Sequence, residues 1–423
     1  MRIAVVGAGW AGLAAAVEAT ARGHAVSLFE MAAAPGGRAR RAATDDGLVL
    51  DNGQHILIGA YVETLRLMRV VGADPQALLC RMPLCLAFAD GGRLALPGGN
   101  PRLAFARAVL ARAGWRWRDR FALLRAAAGW AGNDFRCDAQ LTVAQWAAAL
   151  PDAVHRDLID PLCIAALNTP PAQASAATFL RVLRDALFTG PGSADLLLPR
   201  VDLGSLWPDA AARWLEAAGA RRRLGHRVDA LHAEGGAWRV DGEPFDVAIL
   251  AASAIESSRL ATPWAPAWSA CAQALTQEPI TTVILRSAGT RLPLPMLALH
   301  HGPEAPAQFV FDLGALRGFD GLLSFVISGA ADWVARGRDA TVHATLAQAT
   351  SALSAHLRGP LEEVRTFTEK RATILCTPGL QRPSGRVADR LYAAGDYVDG
   401  PYPATIEGAV RSGVAAAAAL DAA

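Results

Sequence analysis

Six residues near the start, Gly7-Ala8-Gly9-Trp10-Ala11-Gly12, constrain this chain more than any other stretch. They follow Arg2–Val6, a short apolar run rich in β-branched residues that reads as a buried strand. Residues 13–22 come next, rich in alanine and without Gly or Pro, which predicts a helix. Gly23 closes it, and residues 25–29 read as a second strand ending at Glu30. The spacing G-x-G-x-x-G between a strand and a helix has a mechanical meaning. Gly7 permits the tight turn, Gly9 lets backbone N–H groups approach a pyrophosphate, and Gly12 lets the helix pack close on the sheet. Trp10 and Ala11 lie within this glycine loop, and the phosphates sit at the positive end of the helix that follows. Glu30 is placed to accept hydrogen bonds from an adenosine ribose. The expectation is a dinucleotide site.

The next residues separate one dinucleotide from another. Pro35-Gly36-Gly37-Arg38 follows Glu30, and Arg40 and Arg41 come after it. Here the chain resembles the flavoprotein superfamily of amine oxidases and phytoene desaturases, which carry a Gly-Gly-Arg turn at this place. The resemblance implies FAD, with Gly37 and Arg38 beside the diphosphate. Arg40 and Arg41 read equally as solvated loop residues. A narrower resemblance lies in Asp51-Asn52-Gly53-Gln54-His55-Ile56-Leu57-Ile58-Gly59, which looks like the hydroxysqualene dehydroxylases of hopanoid biosynthesis. It implies that the segment holding Gln54 and His55 runs close to the flavin. His55 then becomes a candidate acid, and a hydrogen-bonded structural imidazole is the competing reading.

The chain has 423 residues, enough for two or three domains with real cores. A net charge of +2 leaves no global field for nucleic acid. Lys370 is the one lysine among 41 basic residues, a skew that points to genome composition more than to function. The six cysteines show no C-x-x-C pair and no cysteine–histidine cluster, so buried thiols in a reducing cytoplasm are expected and no metal site is. Arg2 before an apolar run resembles a secretory signal, but the glycine fingerprint inside that run argues against one. No stretch is apolar for about 18 residues without a charge or turn, so no membrane span is expected.

From 72 to about 200 the chain is rich in Ala, Leu, Trp and Arg with helical apolar spacing. Residues 100–133 hold seven arginines together with Trp115, Trp117 and Trp130. Basic helices with interfacial aromatics suit the inner surface of a membrane, and a helical substrate domain with solvated arginines is the plainer alternative. Residues 204–219 read as one helix, and 222–224, 228–232 and 238–240 as short strands. The resemblance places the backbone of Val228 against the adenine. Residues 246–252 form a continuous apolar run, fit for a buried parallel strand. Beyond Pro263, runs at 280–286, 296–300, 308–312 and 322–328 predict an antiparallel sheet, followed by a helix over 339–357 and extended chain over 364–376.

The final block is strand 391–394, a turn at Gly395-Asp396, then Pro403-Ala404-Thr405-Ile406-Glu407-Gly408-Ala409 opening a helix. By resemblance, Asp396 bonds the ribityl or phosphate part of FAD. The helix start at Ala404, Thr405 and Ile406 then points at the flavin pyrimidine edge, where its amides stabilise negative charge on reduced flavin. The segment before it, with Tyr397 and Tyr402, departs from that family's expected Trp and Thr.

The whole reads as an α/β chain with a discontinuous Rossmann-like FAD domain and an inserted α+β substrate domain. Residues 1–70, 200–262 and 377–423 form the first, and 71–199 and 263–376 the second. The resemblance implies reduction of hydroxysqualene to squalene, with a long isoprenoid substrate, an outside electron donor and His55 or Lys370 as acid. A carotenoid-type desaturase, an amine oxidase and a non-catalytic flavoprotein that delivers lipid remain as alternatives.

Overall fold

The computed structural model describes residues 1–43 and 47–422. Its centre is a six-stranded sheet in the order 221–224, 25–30, 2–6, 247–250, 391–393, 386–388. The first five strands run parallel, and Arg386–Ala388 is added antiparallel at one edge. The strands Arg2–Val6 and Val247–Leu250 lie in the middle. Their core residues Ile3, Val5, Val247 and Ile249 are fully buried, as a parallel sheet covered on both faces requires. The helix Trp10–Ala21 packs against the C-terminal helix Ile406–Ala418. A Cβ on Gly413 would lie 2.2 Å from the carbonyl oxygen of Ala11, so glycine sets how closely these helices cross.

The second region carries a five-stranded antiparallel sheet in the order 296–298, 309–312, 322–327, 277–286, 362–374. The helix Arg338–Ala352 contacts two of its strands. Residues 101–187 are mostly helical. Asn100 caps the helix Pro101–Ala111, and Ser175 caps Ala176–Leu187.

The structure departs from the sequence reading at three places. The stretch 204–219 is two helices, Leu203–Leu206 and Pro208–Ala217, because Pro208 has no N–H to continue the first. The strand expected at 228–232 begins only at Leu231 and leaves Val228 in a loop, its own side chain buried. The helical insert also contains short strands at Leu79–Met82, Cys85–Ala87, Arg93–Ala95 and Leu196–Pro199. The last of these pairs with Leu57–Ile58 and joins the insert to the segment after His55.

Candidate active site

One large cavity, about 820 Å³, runs from the carboxyl ends of the parallel strands into the insert. Ligands of open α/β sheets bind at that end of the strands. The glycine loop forms its floor. Gly7 has φ +111°, and a Cβ there would lie 2.5 Å from the carbonyl oxygen of Ala251. A Cβ on Gly12 would come within 1.8 Å of the carbonyl oxygen of Gly7. Gly12 therefore serves helix–strand packing and does not line the cavity, whereas Gly7, Gly9, Trp10 and Ala11 do. Gly36 N donates to the carbonyl of Ala8 at 2.8 Å, and Gly37, with φ +62°, lies against Gly9. The two glycine motifs thus form one double-layered cradle.

Glu30 is 9 % exposed and lines the same cavity. Its Oε2 accepts from Ala8 N at 2.7 Å and its Oε1 from Ala32 N at 2.8 Å. Each carboxylate oxygen has a second acceptor site, so Glu30 can shape the loop and still receive hydroxyl protons. Val228 lines the wall nearby.

The C-terminal block closes the other side. Gly395, Asp396, Ala404, Thr405 and Ile406 all line the cavity. Arg38 pairs with Asp396 and donates to the carbonyl of Ala372 at 2.8 Å, so it ties both ends of the chain to the strand Glu362–Ile374. Ala404 has φ +58°, and Thr405 caps the helix Ile406–Ala418 by accepting from Gly408 N at 2.9 Å. The positive end of that helix opens on the cavity. Arg40 also lines it, but Arg41 is taken up by Asp202, at 2.8 Å, and Asp209.

The segment after Asp51 enters the site, although Asp51 does not line it. Asp51 is buried, accepts from Leu203 N at 2.8 Å and pairs with Arg317 at 3.0 Å, a clamp between distant elements. Asn52, Gly53, Gln54 and His55 do line the cavity. His55 Nδ1 lies 2.9 Å from the carbonyl oxygen of Gly53. A carbonyl only accepts, so Nδ1 carries a proton and Nε2 of the neutral ring is an acceptor. Burial, ahead of the opposing Gly53 hydrogen bond and the charge of Arg38, pulls its pKa below the ordinary imidazole value. The resting ring is neutral, and His55 can act as an acid only after taking a proton at Nε2.

Lys370 is not brought to the site. It is exposed and does not line the cavity, whereas its neighbours Glu369 and Arg371 do. Two lining residues had no motif to announce them. Tyr61 precedes the helix Val62–Val70, and burial drives its phenol well above the usual range. Asp185 sits on the cavity face of the helix Ala176–Leu187, and the helical spacing from Val182 to Asp185 to Ala186 was the available signal. Most of the remaining wall is apolar, from Leu162 and Phe179 on the helical side to Phe309 and Phe311 on the sheet side, with Asn168, Gln277 and Ser328 among the polar residues between. Among the described residues, no group of three His, Cys, Asp or Glu is arranged to hold a metal ion.

Residues 10–421 match the model of the flavin containing amine oxidoreductases. The chain belongs to that family. Hydroxysqualene dehydroxylase of Rhodopseudomonas palustris is 30 % identical over 98 % of this chain and 96 % of its own length. The enzyme of that name from Sinorhizobium fredii is 26 % identical over the same shares. Zeta-carotene desaturase of Synechocystis is 42 % identical, but over 19 % of this chain and 16 % of its own. Among solved structures, an oxidoreductase from Methanosarcina mazei superposes with TM-score 0.74 at 15 % identity, covering 98 % of this chain and 99 % of that one. The fold is therefore an α/β FAD-binding fold, and the protein is an FAD-dependent oxidoreductase. Its cavity fits that cofactor. Glycines stand where a backbone must approach phosphate, an acidic residue stands at the second strand, and a helix start stands at the far side.

Proposed function

We propose that this flavoprotein reduces hydroxysqualene to squalene in hopanoid biosynthesis, releasing water. The observation that carries the reading is the cavity itself, which continues from the cofactor motifs into an apolar chamber walled by the insert. Relatives of that name match nearly end to end. The carotenoid desaturase likeness is local, which gives that alternative less support. We assign residues 1–70, 200–262 and 377–423 to the cofactor domain, and 71–199 and 263–376 to the substrate domain.

Gly7, Gly9, Trp10, Ala11, Glu30, Gly37, Arg38, Gln54, Val228, Gly395, Asp396, Ala404, Thr405 and Ile406 would hold FAD, with Gly12 supporting the loop from behind. Bound and reduced, FAD supplies hydride to carbon. The protein has three further tasks. The apolar wall holds the hydrocarbon and excludes water. The start of the helix Ile406–Ala418 steadies negative charge beside it. The C–O bond must break as the new C–H bond forms, and hydroxide is a poor leaving group. His55, protonated at Nε2 on the way to the transition state, gives its proton to the departing oxygen. An outside donor restores the two electrons.

A long hydrocarbon reaches the protein from lipid. We place peripheral membrane contact on the helices Pro101–Ala111 and Trp117–Gly132. Trp117 and Phe121 stack at 6.0 Å and are 62 % and 61 % exposed, and Leu103 and Leu110 are exposed beside them in sequence. The other two tryptophans of this region are less exposed, Trp115 buried and Trp130 half-buried. Trp115 is buried and donates to Asp157 at 2.8 Å, and Trp130 packs on Trp146. No helix among the described residues is long and apolar enough to cross a membrane. The deciding experiment is anaerobic mixing of the reduced holoenzyme with hydroxysqualene. Squalene in the mass spectrum and stoichiometric flavin oxidation are expected; unchanged alcohol with flavin still reduced overturns the reading.

A further inference from the structure

The helix Ala176–Leu187 turns Phe179, Val182, Leu183 and Ala186 to the cavity, with one carboxylate among them, Asp185. Tyr402, which also lines the cavity, precedes the turn at Ala404. The Tyr402 hydroxyl donates to Asp185 Oδ2 at 2.8 Å. The other oxygen, Oδ1, accepts from Arg184 Nε at 2.8 Å. The Arg411 guanidinium lies over the Tyr402 ring, 5.1 Å from its centre. The backbone is pinned as well, since the carbonyl of Tyr402 accepts from Thr405 Oγ1 at 3.0 Å. Both side chains are thus held in place before any ligand arrives, which is what recognition of a single polar group requires. Burial, followed by the hydrogen bond to Asp185, pushes the phenol above its usual range, so it keeps its proton.

A strut between insert and cofactor region would explain the bond but not why both of its side chains line the cavity. The bond to Asp185 commits the phenol's proton and leaves its oxygen free to accept. A ligand hydroxyl can donate to that oxygen, and a hydrocarbon cannot. We propose that Tyr402 reads the substrate's hydroxyl group, with Asp185 as the residue that positions the phenol. The inference rests on the reaction assigned above and names its specificity determinant. Reactant and product differ by this hydroxyl, so the pair favours binding of the alcohol and release of the alkene. The substrate oxygen donates its hydrogen to Tyr402 and keeps its lone pairs for the proton with which it leaves.

Binding can be read without turnover on holoenzyme with oxidised flavin, as a ligand-induced change in flavin absorbance. The probes are hydroxysqualene and squalene in one detergent. The parent should bind the alcohol more tightly. Y402F keeps the ring and removes the acceptor, and should weaken the alcohol roughly 3–10-fold, the worth of one neutral hydrogen bond. Squalene should bind as before. D185L unpins the phenol but keeps its oxygen, and should lose less of the preference than Y402F, whereas D185N, which still offers an oxygen to the phenol, should retain most of it. Y402L also lacks the oxygen, so it decides where Y402F does not fold. Retained preference in Y402F, or in Y402L in its place, with a parent that makes squalene, overturns the inference and leaves the reaction standing. A parent that makes squalene but shows no preference does the same. A parent that makes no squalene removes the reaction, and the inference with it.

Discussion

Gly9 and Gly12 belong to one motif, yet the structure gives them different tasks, and alanine at each should expose the difference. At Gly12 a Cβ would stand 1.8 Å from the carbonyl oxygen of Gly7 and 3.0 Å from the Cβ of Ala251. Neither is the end of a flexible chain, so the helix must move off the sheet. At Gly9 the nearest atom to an added Cβ is the Cα of Gly37, at 3.8 Å, which is ordinary contact. Its φ of −70° and ψ of 179° suit any residue. Gly9→Ala gains about 0.4–1 kcal/mol from a stiffer unfolded chain and gives back a similar amount as a poorer N-cap. Its folding stability should therefore stay within about 1 kcal/mol of the parent, measured by urea unfolding of the deflavinated protein. Its FAD affinity should fall, because the methyl group stands where the pyrophosphate meets the backbone. Loss of one charge-assisted hydrogen bond, about 1.5–3 kcal/mol, is roughly a 10–150-fold rise in Kd, measured by titration calorimetry. Gly12→Ala should lose stability by several kcal/mol, the cost of overpacking against rigid backbone. Equal damage from both substitutions, or a Gly9→Ala protein that binds FAD like the parent, would refute the division of labour.

Glu30→Ala should reduce FAD affinity by about 1.5–3 kcal/mol, and it should also lower the stability of the deflavinated protein, since two backbone amides lose their acceptor; an unchanged stability would deny its loop-shaping role. His55 resists protonation when folded, whereas the unfolded residue titrates near ~6.5. The unfolded state thus binds more protons below that pH, and stability should fall as pH drops through it, by up to about 1.4 kcal/mol per unit. His55→Gln should remove that part of the slope, seen in thermal melts across pH. In rapid mixing with hydroxysqualene, flavin oxidation should quicken as pH falls toward the lowered pKa, and His55→Gln should be flat and slower by roughly 10²–10⁴. Trp117→Ser with Phe121→Ser should leave folding intact, both residues being exposed, and should reduce flotation with anionic vesicles; flotation equal to the parent's would place the contact elsewhere.

The cofactor end of the site was legible because its signals are local. A glycine loop, a helix start and an acidic strand end each act within a few residues. The parallel run at 247–250 was legible too, since a strand buried on both faces must be continuously apolar. What escaped depends on partners far apart in the chain. Asp51 stood in a flavin-adjacent segment, but its carboxylate serves Leu203 and Arg317. Arg112 and Trp115 looked like surface groups of a basic helix, and Asp157 buries both. The acidic partner of Tyr402 lies 217 residues earlier, on a helix whose apolar pattern hides it. Lys370 was singled out by chemistry alone, and the strand that carries it leaves it exposed outside the cavity.

The central sheet draws its strands from residues 2–30, from 221–250 and from 386–393. During synthesis the first βαβ unit emerges early, and the strand Leu391–Ala393 and the helix Ile406–Ala418 leave the ribosome long after it. Until then Arg38 has no Asp396, Glu407 cannot accept from Glu63 and Thr64, and Asp185 has no phenol to hold. Nearly the whole chain must wait with its apolar chamber open at one side. Long-range closure of this kind folds slowly and leaves apolar surface at risk. A stop before the strand Leu391–Ala393 would yield not a weaker enzyme but a chain for chaperones and proteases.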